Sequence, residues 1–249
     1  HDPLLLGNWI GLMTPTSRAL ILFDIDGTLL RAGDAHHGAA FTHAFEQVYG
    51  KPVTLEGVPL AGMLDAQIAR ILFERHELDR DEADARLHEM MEAMGSRYVE
   101  AIAEQSLRER LLPGVTEAVM ACNAEGWTTG ALTGNGRLVG EAKIKGSGLD
   151  HLLTFGAYGD SAIERGHLVD EALAAAESTT GHQFAPSNTV LVGDTPNDIS
   201  AARAGGAKVV AVATGRFDVN ALSNHDPDAV LENLADTQAF INAVKAMLV

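Results

Sequence analysis

The stretch ALILFDIDGTLL, residues 19–30, decides the fold. Five apolar residues, 19–23, run straight into Asp24 and Asp26. A short unbroken apolar run is the mark of a strand buried on both faces. On such a strand, carboxylates two residues apart point to the same side. Acids that close raise each other's proton affinity unless something positive lies between them. Gly27 lets the chain turn sharply there and brings backbone N–H groups toward an anion.

Working outward, the same kind of run recurs at TTGAL (128–132), TVLVG (189–193) and KVVAVA (208–213), with a weaker strand candidate near 153–157. Helical patterns at about 115–125, 136–147, 167–180 and 196–204 lie between them. The alternation predicts an α/β fold, a doubly wound parallel sheet of Rossmann-like type with helices on both faces. Residues 34–110 break the rhythm and contain no convincing strand. Leu87, Met91, Met94, Tyr98 and Ile102 fall three or four apart, a helical face that predicts core packing. The expected organisation is an N-terminal extension over 1–17, an α/β core over 18–33 and 111–249, and an inserted helical cap domain over 34–110. Pro113 and Gly114 punctuate the return to the core.

Composition bounds the function. The chain of 249 residues is 46% hydrophobic, ample for a sizeable core. With 34 acidic and 18 basic residues its net charge is −16, which speaks against a nucleic-acid partner. No apolar run has the length of a membrane span. Residues 1–17 lack a basic n-region, and Gly7 and Asn8 interrupt their apolar stretch, so they read poorly as a signal peptide. The single Cys122 cannot form an internal disulfide and sits in a helical pattern, which fits a reducing, cytoplasmic setting.

Three strand ends carry polar groups. The first ends in Asp24 and Asp26, the second at Thr133 in LTGN, the third at Asp194 with Asp198 four residues on. Ligands of open parallel sheets bind beyond the carboxyl ends of the strands, where all three would converge. Asp24, Asp26 and Asp194 then make a hard-oxygen cluster suited to Mg²⁺, which keeps waters and substrate phosphate oxygens as its other ligands. One acid is left to attack phosphorus and another to protonate the leaving oxygen. Each motif alone has a plainer reading as a turn or helix cap. The three in this order, each after a buried strand, leave that reading little room.

The motif set, D-x-D-G-T, a strand ending in Thr, and G-D-x-x-x-D, resembles the haloacid dehalogenase superfamily, and its helical insert resembles that of phosphoglycolate phosphatase-like members. The resemblance spans roughly 18–245. It implies a phosphatase that hydrolyses a small phosphorylated metabolite through an aspartyl phosphate. Asp24 would be nucleophile and metal ligand. Asp26 would be general acid/base, with its main-chain carbonyl on the metal. Thr133 and the Gly134 amide would bind the phosphoryl group, with Asn135 beside them. Asp194 would ligate Mg²⁺ and Asp198 would support it. An acid at Asp26 weighs against the dehalogenase reaction itself, which has no leaving alkoxide to protonate. Two alternatives share the motifs: a phosphomutase of the β-phosphoglucomutase kind, and a non-catalytic binding domain on the same fold.

One departure from the family stands out. No lysine lies between Lys145 and Lys208, where such phosphatases carry a Lys-Pro pair. The cation that bridges nucleophile and phosphate is expected to be Lys143, with Arg165 as its support and Lys145 turned to solvent. Asp65, at the start of an expected cap helix, reads as a helix-capping acid, as a substrate contact, or as both. His36 and His37 are expected at the surface or hinge, Gly215 in a turn, and Arg216 within reach of an anionic substrate.

Overall fold

A computed structural model describes residues 18–160 and 164–248 of the chain. The expected extension at 1–17 lies outside the described residues. Strand β1 (Leu20–Phe23) forms as a fully buried run. It pairs in parallel with β2 (Thr128–Leu132) on one side and β4 (Thr189–Gly193) on the other. Beyond them lie β3 (Gly156–Ala157), β5 (Lys208–Val212) and β6 (Ala229–Leu231), giving the order β3-β2-β1-β4-β5-β6, all parallel. The chain winds outward from β1 first one way and then the other. That leaves a crevice at the carboxyl end of β1.

Both faces of the sheet are covered, which is why its strands read as continuous apolar runs. Ile21 and Phe23 pack with α5 (Val115–Ala124), α6 (Arg137–Ser147) and α10 (Thr237–Met247). Leu20 and Leu22 face the opposite core, built on α7 (His167–Thr180), α8 (Pro196–Ala204) and α9 (Val219–Ser223). β6, α9 and α10 lie outside the elements that the sequence pattern predicts. β6 is three residues long and only half-buried, too short for a pattern to show.

Between β1 and β2 the chain makes four further helices: α1 (Ala35–Tyr49), α2 (Asp65–Arg75), α3 (Arg80–Ala85) and α4 (Leu87–Ile102). The stripe Leu87, Met91, Met94, Tyr98 and Ile102 is buried, as its spacing predicts. Gly95 on the same helix allows close approach to α6. A Cβ there would stand 2.3 Å from Leu138 Cβ. The two connections of this helical insert run side by side: Arg31 N–H donates to Arg110 C=O (2.8 Å) and Leu112 N–H to Leu29 C=O (3.0 Å), flanking an antiparallel bridge between Leu30 and Leu111.

Candidate active site

The ends of β1, β2 and β4 bring Asp24, Thr133 and Asp194 to the crevice, all three buried. Asp24, Asp194 and Asp198 offer carboxylate oxygens within 4.8 Å of one another. Asp198 sits in the first turn of α8. Its Oδ2 accepts from the Thr195 N–H (3.0 Å) and hydroxyl (2.7 Å), so it caps the helix with Thr195. Two glycines close around Asp194. Gly27 has φ +92°, and a Cβ on it would fall 2.3 Å from Asp194 Oδ2. One on Gly215 would fall 1.7 Å from the same oxygen. Gly215 is therefore more than a turn residue: only a bare backbone lets the loop after β5 lie against this carboxylate.

The charges are unevenly balanced. Burial pushes the Asp24 carboxyl up to about 7; Arg165 opposes the rise, and Asp198 and Asp26 reinforce it. Burial likewise pushes Asp194 up to about 8, aided by Asp24 and Asp198. Arg165 is buried and reaches the cluster from just before α7. Its Nη2 donates to Asp24 (2.8 Å) and to Asp198 (2.5 Å), and its Nη1 donates to the Gly62 carbonyl in the insert (2.9 Å). Arg165 Nε is the one buried side-chain donor without a partner among the described residues.

Lys143 is wholly buried, unlike the exposed Lys145. Its ammonium stands on Asp26 rather than Asp24, donating to Asp26 Oδ2 (2.6 Å) and Asn135 Oδ1 (2.8 Å). A third contact reaches His37 Nδ1 at 3.3 Å, and the Tyr98 ring lies 5.8 Å away. The cation touching Asp24 is thus Arg165, whereas the sequence reading gave that place to Lys143. Asn135 completes the group, donating to Asp26 Oδ2 (2.9 Å) and Thr133 Oγ1 (2.6 Å). Burial alone would raise Asp26; the Lys143 charge, then His37 and the hydrogen bonds of Lys143 and Asn135, outweigh it and hold the carboxyl below its ordinary value. Its Oδ2 is held by Lys143 and Asn135, and Asp26 stands outside the cluster of Asp24, Asp194 and Asp198, whereas the sequence pattern places its side chain within such a cluster.

Asp65 is buried at the start of α2 and caps a helix other than its own: its Oδ2 accepts from the Gly136 N–H, just ahead of α6, at 2.7 Å. It also contacts His37 Nε2 at 3.0 Å. His37 therefore belongs to the site and not to an outer surface, whereas His36 is exposed. Nothing local in the sequence announces this, because the partners of His37 lie 28 and 106 residues away. A cavity of about 340 Å³ joins these groups. Asp24, Asp26, Thr133, Gly134, Asn135, Arg165 and Asp194 line its core side, and Asp34, His37 and Asp65 its insert side.

The donor set of the acid cluster is entirely hard oxygen, and two of its members are short of positive charge. Both observations fit a divalent metal ion held by Asp24 and Asp194. Asp198 spends one oxygen on Arg165 and the other on Thr195, so it holds the surroundings of that position.

Comparison with known proteins agrees with this geometry. The chain is 27% identical over 225 residues to a phosphoglycolate phosphatase of Thiobacillus denitrificans, covering 89% of this chain and 94% of that one. It is 26% identical over 220 residues to a phosphoglycolate phosphatase of Agrobacterium fabrum, covering 87% and 89%. A β-phosphoglucomutase structure from Clostridium difficile shares the fold, with a TM-score of 0.66 at 14% identity over 92% of this chain and 98% of that one. The model of the haloacid dehalogenase-like hydrolases matches residues 21–203. With its three strand-end motifs converged on one buried acid cluster, the chain belongs to the haloacid dehalogenase-like hydrolases and is a phosphoric monoester hydrolase.

Proposed function

We propose that the chain is a Mg²⁺-dependent phosphatase that hydrolyses a small phosphorylated metabolite through an aspartyl phosphate on Asp24. The observation that carries this reading is the guanidinium of Arg165. It is buried, lines the cavity and donates from Nη2 to Asp24 and Asp198. A buried arginine bound to a strand-end carboxylate at the floor of a cavity suits the charge of an incoming phosphoryl group.

Asp24 attacks phosphorus, and Arg165 balances charge between the carboxylate and the phosphoryl oxygens. Thr133 and the Gly134 amide hold that group from the β2 side. Lys143 keeps Asp26 ionised, the state in which it activates water. The negative charge of an arriving phosphoryl group opposes that hold and raises the carboxyl's affinity for the proton it passes to the leaving oxygen. Mg²⁺, bound by Asp24 and Asp194, supplies the remaining neutralisation of phosphoryl charge. The helical insert acts as the cap, covering the crevice and excluding bulk water. A net charge of −16 disfavours nucleic-acid substrates. No described helix is long and apolar enough to cross a membrane. The buried free Cys122, pushed up to about 12 by burial, suits a reducing cytoplasm.

The test is phosphate release from a generic phosphomonoester with Mg²⁺ and without a sugar bisphosphate primer. Wild type releases phosphate, and Asp24→Asn does not, while circular dichroism shows it folded. Steady turnover by a verified Asp24→Asn protein would remove Asp24 from its role. Turnover by wild type only with the primer present would make the chain a phosphomutase.

A further inference from the structure

The wall of the cavity facing Asp24 differs in character from its floor. Phe41 of α1, Ile68 of α2, and Leu55, Leu60 and Met63 of the connecting loop line it. Leu60 is 42% exposed, one of four large apolar side chains so placed among the described residues. An apolar side chain left in water at the rim of a cavity gains by meeting an apolar ligand.

The polar groups on that wall have no room for an anion. Asp34 and Asp65 are themselves acids. His37 has both ring nitrogens engaged, Nδ1 with the Lys143 ammonium and Nε2 with Asp65. Lys143 divides its donors among Asp26, Asn135 and His37. Arg165 is committed to Asp24, Asp198 and Gly62. Among the lining side chains only Arg216, exposed on the loop after β5, is a cation with no recorded partner.

Resting on the phosphatase reading above, we infer that the substrate is the phosphomonoester of an uncharged alcohol with an apolar body, and that the site discriminates against a leaving group bearing a carboxylate. The P–O bond to the alcohol breaks as the Asp24–phosphorus bond forms. Water then cleaves the aspartyl phosphate, and the products are the alcohol and inorganic phosphate. A carboxylate in this cavity would lose its water and meet Asp34 and Asp65, with only the exposed Arg216 to answer its charge, which a site disfavours. The relatives are named for phosphoglycolate, whose leaving group carries such a carboxylate.

The experiment compares, with the full chain and Mg²⁺, the kcat/KM values of 2-phosphoglycolate, its methyl ester, isopentyl phosphate and p-nitrophenyl phosphate. The methyl ester differs from the acid chiefly in charge. It and isopentyl phosphate should exceed 2-phosphoglycolate by on the order of 100-fold. Leu60→Arg, at an exposed position, should narrow that ratio about tenfold by raising the rate on the acid; an unchanged ratio would overturn the assignment of this wall. Arg216→Ala should move all four rates in the same proportion. Selective loss of 2-phosphoglycolate turnover in that variant would overturn the inference, because Arg216 would then be reading the carboxylate. So would 2-phosphoglycolate matching or surpassing the neutral esters while p-nitrophenyl phosphate is hydrolysed. Failure of all four esters to release phosphate would instead overturn the phosphatase reading, and this inference with it.

Discussion

Single residues set the chemistry through charge. Asp24 and Asp194 are raised acids, so over the window from their ordinary value near 3.8 to about 7 and about 8 the folded chain binds more protons than the unfolded one. Stability falls with pH wherever that holds. The metal-free protein should therefore lose melting temperature between about pH 5 and about pH 8. Mg²⁺ competes with those protons, so its stabilising effect should be larger at the upper end. Thermal scans with chelator and with Mg²⁺ measure both; an equal Mg²⁺ effect at the two pH values would dissociate the metal from these acids. Lys143 acts on the neighbouring acid. Lys143→Ala leaves Asp26 buried on one side without its cation, and turnover should fall on the order of 10²-fold or more. The ionisation of Asp26 should move to higher pH, shifting the acidic limb of the pH–rate profile upward. Exposed Lys145→Ala should stay within about twofold of wild type. Arg165→Lys keeps a charge but cannot span Asp24, Asp198 and the Gly62 carbonyl together, so it should recover only a small part of what Arg165→Ala loses.

At the scale of elements, the contact between α4 and α6 decides how the insert meets the core. Gly→Ala inside a helix ordinarily stabilises it by up to about 1 kcal/mol. At Gly95 the sign reverses, because the new Cβ would stand 2.3 Å from Leu138 Cβ, an atom too close to its own backbone to rotate away. Gly95→Ala should cost about 1–3 kcal/mol, several degrees of melting temperature. It should also reduce kcat, since α6 carries Lys143 and α4 carries the Tyr98 ring beside it. A melting temperature at or above wild type would show that the two helices are not held at this distance. Legibility followed the same division. The core helices α5 to α8 and the strands β1, β2, β4 and β5 are readable from local pattern, as is the α4 stripe, whereas α10, as long as α6, is not among the predicted helices. The charge pairings are not readable in this way. Lys143 and Asp26 are 117 residues apart, Arg165 and Asp24 141. Spacing along the sequence brought all four to one sheet edge without revealing which cation meets which acid.

For the whole molecule, one sheet position organises the rest. β1 is central in β3-β2-β1-β4-β5-β6, and Asp24, Asp26 and the insert all follow from its end, with Asp194 brought alongside by β4. The two connections of the insert leave and rejoin the core as neighbours, tied by the Arg31–Arg110 and Leu29–Leu112 hydrogen bonds. The insert is thus joined to the core at one backbone seam, with α4 packed on α6 beside it. Several bonds cross the mouth like catches on a door, among them Asp65 to the Gly136 N–H, the Asp65 N–H to the Gly134 carbonyl, and the Gly62 carbonyl to Arg165. Because Arg165 also holds Asp24, one guanidinium fastens the insert and that carboxylate together.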